Sequence, residues 1–406
     1  MRILVFTQFF PPEVGATQTR LHAFAQGLAE RGHEVEVVCE VPNHPQGVVH
    51  EGFRGRAVVL RKAGGFRVRH VWVATSRQKN TRTRLAFYGS YAAAASIVGS
   101  ALRRPDVIFG SSPPLPVAAA AALVAKRFRA PWVMDVRDLW PDAAVALGEV
   151  SNQRLLALAE QLERWLYEEA AAIVAVTEPF RQLIGQKTST PGKISLIPNG
   201  TTPLWVDAAR LEPDRRSLGL PGEPFLWTYA GNVGPAQALE AAVDAAGALG
   251  PDFRLVVLGE GPSLSELKAR AEVVAPGSVI FRGQVPPEEA VRYVRASDAL
   301  LVPLSDHPIL RTFVPSKLFD FCATGRPVIV AAAGEPARLA QAADAAYTVP
   351  PGDADELARA LRQLCDDEGL RKRLGAAGHI FGANNLRERG IDALEAVLAS
   401  VQVASR

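Results

Sequence analysis

Twice along its length this chain alternates short hydrophobic strands with helices at the same rhythm, and that repetition allows few folds. Residues 2–7 read as a strand, followed by a loop and a helix. In that helix Leu21, Phe24, Ala25 and Leu28 recur at helical spacing until Gly32 stops it. A strand over 34–39 completes a βαβ unit, which calls for a parallel sheet. Further strands are expected over 57–60 and 67–73, as a hairpin across Gly64-Gly65, then over 106–110, 131–135, 173–176 and 194–197. Helices fall over 85–102, 114–128 and 153–171, and from Pro179. Pro198-Asn199-Gly200 breaks the pattern, and 201–224, with charges of both signs and several prolines, reads as a linker. From Phe225 the rhythm starts afresh, with strands over 225–230, 253–258, 279–281, 299–302 and 327–330. Helices over 236–249, 264–275 and 288–296, a two-turn helix ending near Gly325, one from Asp353 to Cys365 and two more complete the chain. The fold class is α/β, with both halves doubly wound. At 406 residues the chain is too long for one typical core.

The stretch Val314-Pro315-Ser316-Lys317-Leu318-Phe319-Asp320 concentrates the chemistry. A proline sets the entry and Ser316 can N-cap the helix. The N–H groups of Ser316, Lys317 and Leu318 would then point out of a helix end carrying partial positive charge, with the Lys317 amine beside them. That suits a phosphate or diphosphate. Asp320, one turn on, lies where a carboxylate could accept sugar hydroxyls. An ordinary capped helix with an exposed lysine accounts for the same residues equally well. Gly15, at the first helix start, lets a ligand approach the backbone and serves equally as a plain turn glycine. Asp135-Val136-Arg137-Asp138 ends a strand, where ligands of open α/β sheets bind. The bland alternative for Arg137 and Asp138 is a surface ion pair.

Other chemistries are disfavoured. No G-x-G-x-x-G follows a strand, and no Walker A, H-E-x-x-H or G-x-S-x-G occurs. Asp353-Ala354-Asp355 follows Pro-Pro-Gly and reads as an N-cap more than a metal clamp. No metal or other cofactor is expected. Cys39, Cys322 and Cys365 are far apart, so neither a disulfide framework nor a zinc site is expected and a reducing cytoplasm fits. The first strand is too short for a signal peptide.

The net charge is only +3, but no acidic residue lies between Glu51 and Asp106. Arg54, Arg56, Arg61, Lys62, Arg67, Arg69, Arg77, Lys79, Arg82, Arg84, Arg103 and Arg104 fill that interval. The block suggests an anionic partner, either membrane lipid or nucleic acid. Residues 85–102 carry no charge, yet their alanine, glycine and serine content favours a buried or interfacial helix over a spanning one.

Taken together, Phe10-Pro11-Pro12 with Gly15, Asp135 to Pro141, Pro198-Asn199-Gly200, Tyr229-Ala230-Gly231-Asn232-Val233-Gly234 and Val314 to Leu318 resemble retaining glycosyltransferases of the GT-B fold, in the family-4 group. Bacterial surface-polysaccharide enzymes related to fucosamine transferases look closest. The resemblance implies two Rossmann-like domains facing across a cleft. An acceptor-binding domain would span 1–200 plus a C-terminal helix at about 386–406, and a donor-binding domain 201–385. Gly15 would let its loop touch the donor diphosphate, which Lys317 and the Ser316 and Leu318 amides would hold. Asp320 stands where the family has the second glutamate of its E-x7-E motif, on the ribose. Arg282 and Gly283 match a loop bracketing the nucleobase. Arg137 and Asp138 align with a pair near sugar and acceptor, and with Lys317 make up the catalytic set. The family's first glutamate falls at Thr312, and Asn232 replaces a common arginine, which leaves the roles of Arg311, Thr312 and Asn232 in the donor site open.

The resemblance implies transfer of a hexosyl or N-acetylhexosaminyl group from a nucleotide diphosphate sugar, expected to be UDP-linked, to a lipid-linked or saccharide acceptor in cell-surface polysaccharide assembly. It would take place in the cytoplasm or peripherally on the inner face of the membrane, with no nucleic acid as partner. A nucleotide-sugar epimerase or hydrolase of the same fold is the alternative enzyme. A non-catalytic protein binding membrane or nucleic acid is the alternative outside enzymology.

Overall fold

The computed structural model describes residues 1–43, 47–78, 80–146 and 152–404. They form two compact units, Met1–Asn199 with Arg387–Arg406, and Gly200–Leu386. Lys79, within the basic interval, lies outside the described residues.

In chain order the first unit contains β1 (Arg2–Phe6), α1 (Ala16–Glu30), β2 (Glu34–Glu40), β3 (Val58–Ala63), β4 (Phe66–Val71), α2 (Thr81–Ser100) and β5 (Val107–Ser112). There follow α3 (Leu115–Phe128), β6 (Trp132–Val136), α4 (Asp142–Ala146), α5 (Gln153–Glu169), β7 (Ala172–Ala175), α6 (Glu178–Gly185) and β8 (Ile194–Leu196). The sheet order is β3-β4-β2-β1-β5-β6-β7-β8, parallel throughout except for the β3–β4 hairpin. Parallel strands are covered on both faces, so they read as unbroken apolar runs. β5 and β6 are buried at every position. The edge strand β3 instead buries Val59 and exposes Val58 and Leu60 on either side.

In α2 a capping box at Asn80 and Thr83 fixes the start, Tyr91 and Ala95 are buried, and Leu85 and Ile97 face water. Among the described residues no helix is long and apolar enough to cross a membrane.

One buried polar network ties this unit together. Arg20, fully buried, donates to Asp135 Oδ1 at 3.1 Å and to the carbonyls of Ile197 and Pro198 at 3.0 and 2.9 Å. The second Asp135 oxygen accepts from the Ser111 hydroxyl at 3.2 Å.

The second unit contains α7 (Pro203–Asp207), β9 (Phe225–Ala230), α8 (Glu240–Leu249), β10 (Phe253–Leu258), α9 (Leu264–Val274), β11 (Val279–Gly283) and α10 (Pro287–Ala296). It continues through β12 (Ala299–Pro303), α11 (Ser316–Ala323), β13 (Val328–Ala331), α12 (Glu335–Ala342), β14 (Tyr347–Val349), α13 (Ala354–Asp366) and α14 (Glu368–Asn384). All pairings are parallel, in the order β11-β10-β9-β12-β13-β14. The last helix, α15 (Arg387–Ala404), belongs to the first unit. Its Ile391, Leu394, Leu398 and Val401 join Leu21, Phe24 and Leu28 of α1 in one core.

α14 packs on α11 almost backbone to backbone. A Cβ at Gly382 would lie 2.5 Å from the Ala323 Cα, and one at Gly375 would lie 2.3 Å from the Gly325 carbonyl oxygen. Gly378, on the same face, sits against Cys322.

Three expectations need correction. Residues 201–224 are not a bare linker. They hold α7 and two short 3₁₀ turns, and Trp205 packs on Phe321 of α11. The helix expected over 236–249 starts only at Glu240, because a 3₁₀ turn at Pro235–Gln237 and the left-handed Ala238 interrupt it. The basic interval is also not one patch. Arg56 precedes β3 at the carboxyl end of the sheet, whereas Arg103 and Arg104 follow α2, which has run back to the amino end before β5. Arg67 and Arg69, between them, pair with Glu34 and Glu36. α12 and β14, over 335–349, lay in a stretch that the sequence pattern left unassigned.

Candidate active site

In the second unit the chain moves outward from β9 in both directions, to β10 on one side and to β12 on the other. Open α/β sheets bind ligands at such a switch point, beyond the carboxyl ends of the strands. Here the turn after β9 is joined to the segment after β12 by the Ser305 N–H on the Ala236 carbonyl, at 2.9 Å. It is joined to the loop after β10 by the Val233 N–H on the Glu260 carbonyl, at 2.8 Å.

A 3₁₀ turn at Pro308–Thr312 leads into α11. Ser316 does not cap this helix. Pro315 occupies the cap position, fixed by its ring in extended geometry, and Ser316 is the first helical residue. The N–H groups of Ser316 and Lys317 head the helix, where no preceding turn supplies carbonyls. The Leu318 N–H is turned inward and bonds the Pro315 carbonyl at 3.0 Å. The helix start therefore presents two outward amides instead of the three expected.

Lys317 is half-buried and folded back over β9. Its Nζ lies 2.8 Å from the Tyr229 hydroxyl and 4.0 Å from that ring's centroid. Burial pushes the amine down to about 7, against the opposing pull of the Asp320 charge. Gly231 has φ +145, and a Cβ there would fall 2.6 Å from Lys317 Nζ, so only glycine admits the amine at this turn. Asp320 accepts from the Thr201 hydroxyl at 2.8 Å, so one of its oxygens already has a partner.

The other expected donor residues are placed less directly. Asn232 lends its carbonyl to the Tyr229 hydroxyl, while its exposed side chain reaches Gln237 at 3.3 Å. Gly283 accepts from the Gly259 N–H, which fastens its loop beside that of β10. The Arg282 guanidinium bonds the Gly219 carbonyl at 2.9 Å. Arg311 is exposed and pairs with Asp306 at 2.8 Å, and the Thr312 hydroxyl closes its own turn on Ile309.

In the first unit Gly15 is the N-cap of α1, its carbonyl bonded by Thr19, with extended backbone that any residue adopts. Arg137 is no surface ion pair with Asp138. Its guanidinium is turned inward onto the Ser111 hydroxyl (2.7 Å), the Pro113 carbonyl (2.9 Å) and the Thr17 hydroxyl. Burial draws it down to about 10, opposed by Asp135 3.7 Å away. Following β6, it is thus held as a strut to the β5 end and to α1. Asp138, half-buried, continues from it, and its carbonyl accepts from Trp140.

Asp353 does cap α13, accepting from the Glu356 N–H at 2.9 Å. Among the described residues no cluster of three or more His, Cys, Asp or Glu is placed to hold a metal. Sequence reasoning placed Tyr229 in a quoted motif but missed its contact with Lys317.

The profile described as "Glycosyl transferase 4-like domain" matches residues 15–200, and "Glycosyl transferases group 1" matches 212–380. WcaI of Escherichia coli (strain K12), a glycosyl transferase assigned to colanic acid biosynthesis, is 25% identical over 346 residues, 82% of this chain and 83% of its own. Sucrose-phosphate synthase from Thermosynechococcus elongatus superposes with a TM-score of 0.75 at 19% identity, covering 100% of both chains. Alr3699/HepE of Anabaena, solved with UDP and glucose, gives 0.73 at 17% identity over 98% of this chain and 99% of that one. These two structures share the fold.

Proposed function

The chain belongs to the GT-B glycosyltransferases of family 4, and from that premise we propose that it moves a hexosyl or N-acetylhexosaminyl group, with retention, from a UDP-sugar to a lipid-linked or saccharide acceptor in cell-surface polysaccharide assembly. The observation that carries the reading is the α11 start at the switch point, where a desolvated amine stands beside outward N–H groups. The HepE complex with UDP, and the pathway in WcaI's name, support the choice of donor and of product class.

In this reaction the glycosidic bond to the diphosphate lengthens first, and negative charge grows on the departing oxygen. Lys317 and the helix end meet that charge, and the acceptor hydroxyl then adds on the same face of an oxocarbenium-like sugar, its proton passing to the departing diphosphate oxygen. Because this chain's own groups neutralise the diphosphate, turnover should require an added polyprenyl-linked or saccharide acceptor and survive excess chelator. Assays of UDP release with and without acceptor test both. Equal turnover without acceptor overturns the transferase reading, and a loss restored by magnesium or manganese overturns metal independence.

Asp320 would hydrogen-bond ribose hydroxyls, whose charge does not change along the reaction. Asp320→Ala should therefore raise the donor KM with a smaller change in kcat, the signature of uniform binding. Steady-state kinetics at saturating acceptor check this.

The first unit would dock peripherally on the cytoplasmic leaflet. At the carboxyl end of its sheet the exposed side chains of Trp72 and Leu85 stand with exposed Arg56, Arg77 and Arg82. Each such cation contributes about 1 kcal/mol near an anionic surface. Binding to liposomes should rise with anionic lipid and fall with salt. Substituting Arg56, Arg77 and Arg82 should weaken it, whereas substituting Arg103 and Arg104, at the other end, should not.

A further inference from the structure

Resting on the donor-site reading above, we infer that Tyr229 is the positioning residue of Lys317, holding its amine against the Gly231 turn and aimed at the donor diphosphate. Tyr229 alternates with Phe225 and Trp227 along β9, and its ring is fully buried in the core shared with α8. A buried tyrosine hydroxyl needs partners. This one donates to the Asn232 carbonyl, which commits its hydrogen and leaves its lone pairs toward Lys317 Nζ at 2.8 Å. The ring below, with its centroid 4.0 Å from Nζ, supplies a second attraction for the cation.

The arrangement fixes a long, flexible side chain at both height and direction. An ammonium has three donors. With one spent on Tyr229, two remain for diphosphate oxygens. Two titratable groups face the amine, Tyr229 from β9 and Asp320 from α11 itself, and the Gly231 turn presents only backbone. Burial pushes the Tyr229 hydroxyl up, so it stays neutral and acts as acceptor to the ammonium. A lysine serving only as structural filling would need the ring's bulk and not this oxygen.

Tyr229→Phe keeps the ring and removes the oxygen. It should lower kcat/KM for the UDP-sugar about tenfold, as for a lost hydrogen bond to a charged group. The alkaline limb of the pH profile should move to lower pH, because the ammonium loses a stabilising partner. In a Lys317→Ala background the same substitution should have no further effect. A Tyr229→Phe effect of equal size in both backgrounds, or none in the wild-type background, overturns the inference, since a structural role persists without the lysine. Lys317→Ala alone separates the two levels. If it leaves donor turnover intact, the donor-site reading falls and the inference with it. If it is impaired while Tyr229→Phe is silent, only the role of Tyr229 falls.

Discussion

Lys317→Ala should cut turnover at saturating donor a hundredfold or more while the protein stays folded. Losing a donor aimed at developing charge costs roughly 3–4 kcal/mol, because the contact is stronger in the transition state than in the ground state. Near-normal kcat in the variant would make the α11 start a structural cap. The amine's titration gives the effect a second signature. Burial holds it near 7 in the free protein, and a bound diphosphate favours the charged form. The bound state therefore carries more protons than the free state above pH 7. Binding should take up protons there, and affinity should decline as pH rises. Calorimetry at pH 8 in buffers of different ionisation enthalpy reads this uptake, and Lys317→Ala should abolish it.

That site was only partly legible in the sequence. The helix start, its lysine and Asp320 are neighbours along the chain, so local pattern placed them. The partners that decide what they do come from far away. Tyr229 lies on the first strand of the unit and Thr201 where the unit begins, and single-sequence periodicity carries no information about such pairings. The strands were legible for the opposite reason: strands buried on both faces need unbroken apolar runs, as in Val328–Ala331. The 335–349 region was not, because α12 and β14 are short, and the alanines of α12 and of the turn after it offer no clear period. For Arg137 the sequence left two readings open, a surface ion pair or a place near sugar and acceptor, because charge at a strand end looks alike whether it faces solvent or turns inward onto Ser111, Pro113 and Thr17.

The second large effect concerns stability. Asp135→Ala should destabilise the first unit by about 3–5 kcal/mol, since it leaves the buried Arg20 guanidinium without its counter-charge. It also removes the acceptor of the Ser111 hydroxyl and the charge beside Arg137. The thermal midpoint of that unit should fall by roughly 6–20 °C. Arg20→Met combined with Asp135→Leu should recover part of the loss, because an apolar pair of similar volume avoids stranding a charge. A midpoint within a degree of wild type for Asp135→Ala would show that the pair contributes little.

The glycine face of α14 bears on how this protein would look in a mutational screen. Side chains at 375 or 382 would push the C-terminal end of α11 and the turn after it off their seat and disturb Lys317 with them, though neither position bears a group for the chemistry. A screen scored by product alone would rank these two positions with the donor residues and send an engineer seeking a new sugar specificity to the wrong helix. Scoring each variant for soluble yield as well as for product would separate positions that hold the scaffold from those that choose the substrate.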